Sequence, residues 1–304
     1  MSRGLGDVYK RQVMWQTLNE CQAAIWHSLP RRGRRSEVIL KLDLTCIEKT
    51  GKKIPFARVF NRRYGIQLVV LHASWEGLSF PVAYRIYEGK GKTTVNDLAL
   101  ELLMDYPPSV WSSRVVVMAD SAFASTDFIR SAQAMGFQRL LLGIRCDRKI
   151  SDGRRLDQLS KRGQEHRLHD MNLAVWISWC DVKREEGKKR FYLLSTFQAG
   201  GAYLARRYRK RWLIESFFQV IKHDFGLKET RLRTKGAIKL WIFLACLAYC
   251  LAALERYFAS QHMTLIQAAK QVLSSLLDVT FMHLLINLES FNQASPRTLK
   301  LVSV

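Results

Sequence analysis

The order of strand-like and helix-like segments between residues 38 and 144 constrains this chain more than any other feature. From Val38 the pattern alternates, with Val38, Leu40, Leu42 and Leu44 on one face and Ile39, Lys41, Asp43 and Thr45 on the other. That is the period of a strand, so Asp43 projects from a strand on the same face as Thr45. Tyr64 to Ala73 and Leu78 to Tyr87 are β-rich runs joined by Ser74-Trp75-Glu76-Gly77, a short Gly-containing connection of the kind that closes hairpins. Three consecutive antiparallel strands are expected. Thr94 to Met104 reads as a helix. Arg114 to Met118 is a continuous Val-rich run ending in Ala119-Asp120, the pattern of a strand buried on both faces, with Asp120 at its C-terminal end. Ser125 can cap a helix running to about Met135, and Arg139 to Ile144 is a further apolar strand.

The order βββαβαβ is that of an RNase H-like fold, an α/β class in which helices flank a mixed sheet. Between Arg145 and Phe197 the pattern changes to charged turns, Ser151-Asp152-Gly153 and Glu185-Glu186-Gly187, around short strands such as Leu173 to Asp181 and Arg190 to Thr196. This segment reads as a β-rich insertion. Helical periodicity returns from Tyr203 to Lys222, followed by apolar helices at Lys235 to Phe258, Thr264 to Leu277 and Thr280 to Leu288. The expected organisation is a first core part over 37–144, the insertion over 145–197, a second core part with the carboxylate-bearing helix over 198–260, and C-terminal helices over 261–304. Met1 to Gln12 shows neither periodicity nor a targeting pattern and resembles a translated sequencing-adapter scar, so it reads as non-native. Residues 13–36 read as the remnant of an N-terminal region or linker, and an N-terminal portion, with any DNA-end-recognition domain, is expected to be missing.

Forty-eight Lys and Arg against 26 Asp and Glu give a formal charge of +22, a self-repulsion that a polyanionic partner relieves. Nucleic acid is the first candidate, although proteins that coat anionic membranes or ribosomes share this balance. The six cysteines, Cys21, Cys46, Cys146, Cys180, Cys246 and Cys250, form no C-x-x-C pair and lie beside no His at zinc spacing, so they read as reduced thiols of a cytoplasmic protein. Leu240 to Leu254 is a 15-residue apolar run flanked by Lys239 and Glu255. It is short of the roughly 20 residues of a membrane span and reads as a buried core helix, with no membrane partner expected.

The segment Tyr208-Arg-Lys-Arg-Trp-Leu-Ile-Glu215-Ser-Phe-Phe-Gln-Val-Ile-Lys222 carries the chemistry. In a uniform α-helix Tyr208, Arg211, Glu215 and Lys222 fall within about 60° of arc, with Leu213, Ile214, Phe217, Val220 and Ile221 opposite. The apolar side would pack on a sheet and leave the polar stripe facing a cleft. Arg211 and Glu215 also have the i,i+4 spacing of an ordinary surface ion pair. Two strand-borne carboxylates, Asp43 and Asp120, tilt the choice, because three acidic groups gathered together repel one another unless cations neutralise them. Mg2+ prefers such hard oxygen ligands, and two such ions, about 3.5 to 4 Å apart, serve in-line displacement at a phosphodiester. Asp43 would bridge the two ions and Asp120 and Glu215 would each complete one site. Arg211 and Lys222 would bind backbone phosphates, and Tyr208 would hydrogen-bond a phosphate or orient Glu215, or simply pack.

The spacing Tyr208-x2-Arg211-x3-Glu215-x6-Lys222 resembles the Y-R-E-K signature of bacterial insertion-sequence transposases of family four. Leu42-Asp43-Leu44-Thr45 and Met118-Ala119-Asp120 look like that family's two preceding acidic motifs. The resemblance covers roughly Val38 to Leu254. It implies a DDE catalytic triad of Asp43, Asp120 and Glu215 on an RNase H-like core with a β-rich insertion before the catalytic Glu. It implies two Mg2+ ions, with Mn2+ able to substitute, and cut-and-paste transposition. Water attacks a strand at the transposon end, and the freed 3′-OH then attacks the opposite strand to give a hairpin that is later reopened. Double-stranded DNA, as transposon ends and as target, a homodimer in the DNA complex and a bacterial, nucleoid-associated location are implied with it.

Two other readings compete. A DNA-binding remnant or domesticated relative without catalysis would show salt-sensitive binding and no metal-dependent cutting. An RNase H-like nuclease acting on RNA or RNA–DNA hybrids would share fold and metals without needing the Tyr-Arg-Glu-Lys stripe. Arg31-Arg-Gly-Arg-Arg35 suits phosphate contact or a solvated linker equally. Trp176 and Trp179 lie where similar transposases place an aromatic for a flipped base, but packing is the preferred reading. His223 falls about 100° from Lys222 around the helix and is left out of the site.

Overall fold

A computed structural model describes residues 37–278 apart from positions 52, 90, 112–113, 185–186 and 260–261. Segments 1–12 and 13–36, with Cys21 and Arg31 to Arg35, and the expected helix Thr280 to Leu288 lie outside the described residues.

The first four strands are β1 (Glu37–Glu48), β2 (Arg58–Phe60), β3 (Arg63–Trp75) and β4 (Leu78–Tyr87). β1 runs antiparallel to β3 from Ile39↔Ser74 to Glu48↔Gly65, and β4 and β2 both pair antiparallel with β3. The expectation of three strands missed β2, which is only three residues long. Both hairpin connections are two-residue turns with positive φ at each position: Asn61 and Arg62 (47° and 63°), and Glu76 and Gly77 (41° and 92°). Such turns match the twist of the strands they join, and the second is tighter than the four-residue connection expected. β1 is also buried on both sides, with Lys41, Asp43 and Thr45 as inaccessible as the leucines between them.

Next come α1 (Val95–Asp105), β5 (Arg114–Ala119), α2 (Thr126–Ala134) and β6 (Leu140–Ile144). Thr94 and Asp97 form a reciprocal capping box at α1, and Ser125 accepts from the Phe128 N–H at α2; each cap contributes about 1 kcal/mol. Below its cap α1 buries Leu98, Ala99, Leu102 and Leu103, the i, i+1, i+4, i+5 pattern of one helix face. β5 pairs parallel with β1 and with β6.

The segment expected as an insertion holds β7 (Gln164–Arg167), β8 (Ala174–Arg184) and β9 (Gly187–Ser195). It extends the same sheet: β9 pairs antiparallel with β6, giving the order β2-β3-β1-β5-β6-β9-β8-β7 with β4 on β3. Tyr192 and Leu194 on one face of β9 and Leu193 on the other are all buried, so β9 can cover an edge of β6 that would otherwise expose unpaired backbone groups.

The helical stretch that follows is broken, where a single helix was expected. α3 (Gly201–Tyr208) passes into a 3-10 turn over Arg209–Trp212 and then into α4 (Leu213–His223). Each 3-10 residue turns through about 120° in place of 100°, so four of them carry Glu215 from about 20° on one side of Tyr208 to about 60° on the other. What separates the two residues is that Tyr208 ends α3 and is buried while Glu215 begins α4 and is exposed. α3 sets Leu204, Ala205 and Tyr208 against Ile39, Val116, Met118, Leu141 and Leu193 of the sheet. α4 buries Ile214, Phe217, Phe218 and Ile221, each worth roughly 1.5–3 kcal/mol. Leu213, expected on that apolar face, is 47% exposed.

α5 (Lys235–Phe258) has 24 residues. These are the bounds expected for it, and the 15-residue apolar run Leu240 to Leu254 lies within it. By length and composition it is long enough to cross a membrane, with 44% of its most apolar stretch buried and Leu240 and Leu244 exposed. The chain divides into two compact units, Met1–Leu247 and Ala248–Val304, with the boundary inside α5. The second unit contains the end of α5 and a helix over 265–278, capped reciprocally by Thr264 and Gln267.

Candidate active site

The parallel pairing of β1 with β5 ends at Leu42↔Ala119, so the next residue on each strand, Asp43 and Asp120, stand side by side where β5 stops. Asp43 is 9% exposed. Its Oδ1 accepts from the Leu44 N–H at 2.8 Å and its Oδ2 from Arg211 Nη1 at 2.8 Å. Asp120 is half-buried and caps the 3-10 turn Ser121–Phe123, its Oδ1 accepting from the Ala122 N–H at 2.9 Å. Glu215, in the first turn of α4, receives Arg211 Nη2 at 2.6 Å. One guanidinium therefore spans a strand carboxylate and a helix carboxylate. Burial pushes the Asp43 carboxyl up to about 6; Arg211 opposes this, and Asp120 and Glu215 reinforce it. That both Asp120 and Glu215 act on Asp43 is a mark of the convergence of the three.

Among the described residues no three His, Cys, Asp or Glu side chains stand close enough to hold one metal ion. The expected arrangement asks for pairs, Asp43 with Asp120 on one ion and Asp43 with Glu215 on the other, and Arg211 lies between the members of the second pair. The donor chemistry nevertheless suits a divalent ion. The oxygens are hard carboxylate donors, and Asp43 and Glu215 already share one cation.

Tyr208 does not reach a phosphate-facing position or Glu215. It is 6% exposed, and its hydroxyl donates to the Ala119 carbonyl at 3.1 Å, one residue before Asp120. Gly143 on β6 makes room for it: a Cβ there would sit 2.7 Å from the Tyr208 hydroxyl and 3.0 Å from the Ser121 nitrogen. Arg211 is also placed otherwise than expected, paired with carboxylates and with its guanidinium 5.6 Å from the centre of the Tyr208 ring. Lys222, half-buried, lies near Cys46, Glu48 and Arg63, with burial lowering its ammonium below the usual lysine range. The structure thus gathers Asp43, Asp120, Arg211 and Glu215, backs them with Tyr208, and sets Lys222 two turns along α4.

Trp179 is buried, 5.9 Å from the Tyr192 ring with Arg190 over its face, and Trp176 packs against the sheet core. His223 stands on the surface, 2.9 Å from Lys228 Nζ. Cys46, Cys146, Cys180 and Cys246 are free thiols. Sequence reasoning missed Gly143, although a lone glycine inside the apolar run Leu140 to Ile144 signals close backbone approach. It also passed over Lys41, an ammonium in a strand of apolar neighbours.

A sheet of parallel and antiparallel strands with two aspartates at the end of its parallel pair, faced by a glutamate from a following helix, defines a carboxylate-centred α/β domain. Residues 34–251 match the family of the transposase DDE domain, and the chain belongs to that family. Among solved structures it resembles the cryo-EM structure of piggyBac transposase in a synaptic complex with hairpin DNA, with a TM-score of 0.51 and 14% identity over 78% of this chain. At that identity the likeness is one of fold. The chain spans about half of that structure's length, 52%. No curated protein matches.

Proposed function

We propose that this chain cleaves DNA and transfers the cut strand as a DDE transposase with an RNase H-like core, in cut-and-paste transposition of a bacterial insertion sequence of family four. The observation that carries the reading is the placing of Asp43 and Asp120 directly after Leu42↔Ala119, the last pair of β1 and β5, with Glu215 tied to Asp43 through Arg211, all inside the matched transposase domain. Asp43, Asp120 and Glu215 would hold two divalent ions, Mg2+ with Mn2+ able to substitute. Bound there, such a pair supplies activation of the attacking oxygen and stabilisation of the leaving oxygen at a phosphodiester.

The residues themselves supply position and charge. β1 and β5 fix two carboxylates on adjacent strands, and the Tyr208 hydroxyl, pinned to Ala119, holds the end of α3, which leads through the 3-10 turn into the helix that bears Glu215, against the strand that delivers Asp120. Tyr208 is thus a positioning residue. Lys222 and the surplus of 22 positive charges serve the DNA backbone. Strands β7 to β9 take the place of the insertion before the catalytic glutamate. The partners are double-stranded DNA, as element ends and target, and a second copy of the chain in the DNA complex, within the bacterial nucleoid. The DNA in the piggyBac synaptic complex supports a DNA partner, and its hairpin form accords with a hairpin route.

The test is cleavage of a linear duplex carrying the flanking element's ends, with and without Mg2+, by this chain and by Asp120→Asn. Metal-dependent nicking that the variant loses is the expected result. Equal binding with no cleavage by either protein would point to a DNA-binding remnant, and preference for an RNA–DNA hybrid would point to an RNase H-type nuclease.

A further inference from the structure

Arg211 occupies the space between Asp43 and Glu215 in a way that a phosphate-binding residue would not require. Its side chain is 11% exposed, with Nη1 on Asp43 at 2.8 Å and Nη2 on Glu215 at 2.6 Å. The Tyr208 ring supports the guanidinium from one side. Among the described residues Nε is buried without a hydrogen-bond partner. The clasp uses one oxygen of each carboxylate and leaves Nε unpartnered, so an anion that takes two of its N–H groups at once can compete for it. The carboxylates it holds are those assigned to the divalent ions, and no three of them stand together while it is there.

We propose that Arg211 is a resident cation that excludes divalent metal from Asp43 and Glu215 until a DNA phosphate draws it away. The inference rests on the reading of these carboxylates as metal ligands. A guanidinium and a divalent metal compete for the same carboxylate charge and repel one another, so each state of Arg211 favours one occupant. A backbone phosphate offers two non-bridging oxygens that a guanidinium fork binds bidentately. DNA then binds the state in which the carboxylates are released, metal binds that same state, and the two ligands tighten one another by a common factor. The site loads metal when substrate is present, which keeps a protein of this charge from holding an armed centre in the absence of its target.

Metal uptake by the DNA-free full chain, followed by the electron paramagnetic resonance signal of Mn2+, tests this without any turnover. Wild type, Arg211→Gln, Arg211→Lys, Asp43→Asn and the double variant Asp43→Asn/Arg211→Gln are compared, with thermal melts run alongside. Arg211→Gln should bind Mn2+ about tenfold or more tighter than wild type, the scale of ordinary coupling between sites. The double variant should lose that gain. Arg211→Lys, which keeps the charge but cannot span two carboxylates, should fall between them, and it carries the test if the glutamine variant does not fold. If wild type binds as tightly as both Arg211 variants and Asp43→Asn abolishes the binding, the exclusion role is overturned while the carboxylate reading stands. If no protein has a Mn2+ site that Asp43→Asn removes, the carboxylate reading itself falls, and this inference with it.

Discussion

Two polar clusters sit two residues apart on the same face of β1, equally deep, and they handle charge in different ways. Lys41 is wholly buried and donates to Ser74, whose hydroxyl meets Ser79 at 3.0 Å, which in turn lies 3.4 Å from His72 Nε2. His72 faces Lys41 across the β1–β3 ladder, its ring 5.0 Å from that of Phe217 on α4. Burial, with Lys210 nearby, brings the Lys41 ammonium down to about 7, and burial with Lys41 holds His72 well below the usual histidine range. Both shifts favour the uncharged forms, and burial acts the same way at Asp43, but there Arg211 opposes it and sits between two carboxylates, with solvent access at Asp120 and Glu215. Burial alone therefore does not mark the functional group. The mark is acidic side chains converging on one cation at the edge of solvent, because a further ion or ligand can reach such a site.

The largest expected effect lies in the charged cluster. Glu215→Gln removes one carboxylate but keeps its shape, and the side chain is 48% exposed, so stability should change by no more than about 0.5 kcal/mol. Metal-dependent cleavage should fall to background while DNA affinity stays nearly intact, checked by nicking and binding assays on one duplex. Retained cutting would show that the third ligand lies elsewhere and that the two clusters differ less than their charges suggest.

The closed cluster should respond with the opposite sign. Lys41→Met replaces a buried ammonium with an apolar chain of similar length and leaves Ser74 its bond to Ser79. Stability should rise by about 1–4 kcal/mol at neutral pH. The unfolded ammonium binds its proton up to about 10.5 and the folded one only up to about 7, so the burial cost is full below about 7 and fades as pH climbs towards 10.5. Urea denaturation across that window should show the variant's advantage shrinking with pH. An advantage that stays constant would mean that Lys41 keeps its charge in the fold.

How much of this was legible in the sequence depends on the element. Asp43 and Asp120 were placed correctly because two-fold alternation and a Val-rich run are local signals, and their adjacency follows from the parallel pairing that the strand order implies. The helix bearing Glu215 was found, but its uniform 100° rotation was assumed. The 3-10 turn at Arg209–Trp212 divides the stretch into two helices, with Tyr208 buried at the end of the first and Leu213 exposed at the start of the second, and no simple periodicity in Arg-Lys-Arg-Trp announces it. The joining of β9 to β6 was also out of reach, since Arg190 to Thr196 reads as a strand without naming its neighbour. Arg211 was known to lie i,i+4 from Glu215, yet its reach to Asp43 spans 168 positions and is a fact of tertiary structure.

Gly143 sharpens the comparison from behind the carboxylates. Gly143→Ala brings a Cβ to 2.7 Å from the Tyr208 hydroxyl, an overpacking that should cost about 1–3 kcal/mol. Tyr208→Phe should cost about 1 kcal/mol through the lost bond to Ala119. With the hydroxyl gone, the alanine fits more easily, so the double variant should cost less than the two singles together by roughly 0.5–2 kcal/mol. Denaturant titrations of the four proteins measure this. Strict additivity would mean that the Ser121 backbone nitrogen, at 3.0 Å, is the wall the methyl meets.

The smallest effect belongs to Lys222, which shares α4 with Glu215 but faces the far end of β1, near Glu48 and Arg63. Its stem lies against Phe218, the ammonium 5.9 Å from the ring centre, so the charge is held close to the protein and makes at most one phosphate contact. Lys222→Ala should weaken DNA binding modestly and reduce the slope of log affinity against log salt by about one counterion. It should leave the metal dependence of cleavage unchanged, because no carboxylate of the Asp43 cluster depends on it. An unchanged salt slope would remove Lys222 from the DNA surface and leave it a counterweight to Glu48. The stripe read along this helix would then divide into one residue that acts on charge at the site, Glu215, and one that only balances charge at the edge of the sheet.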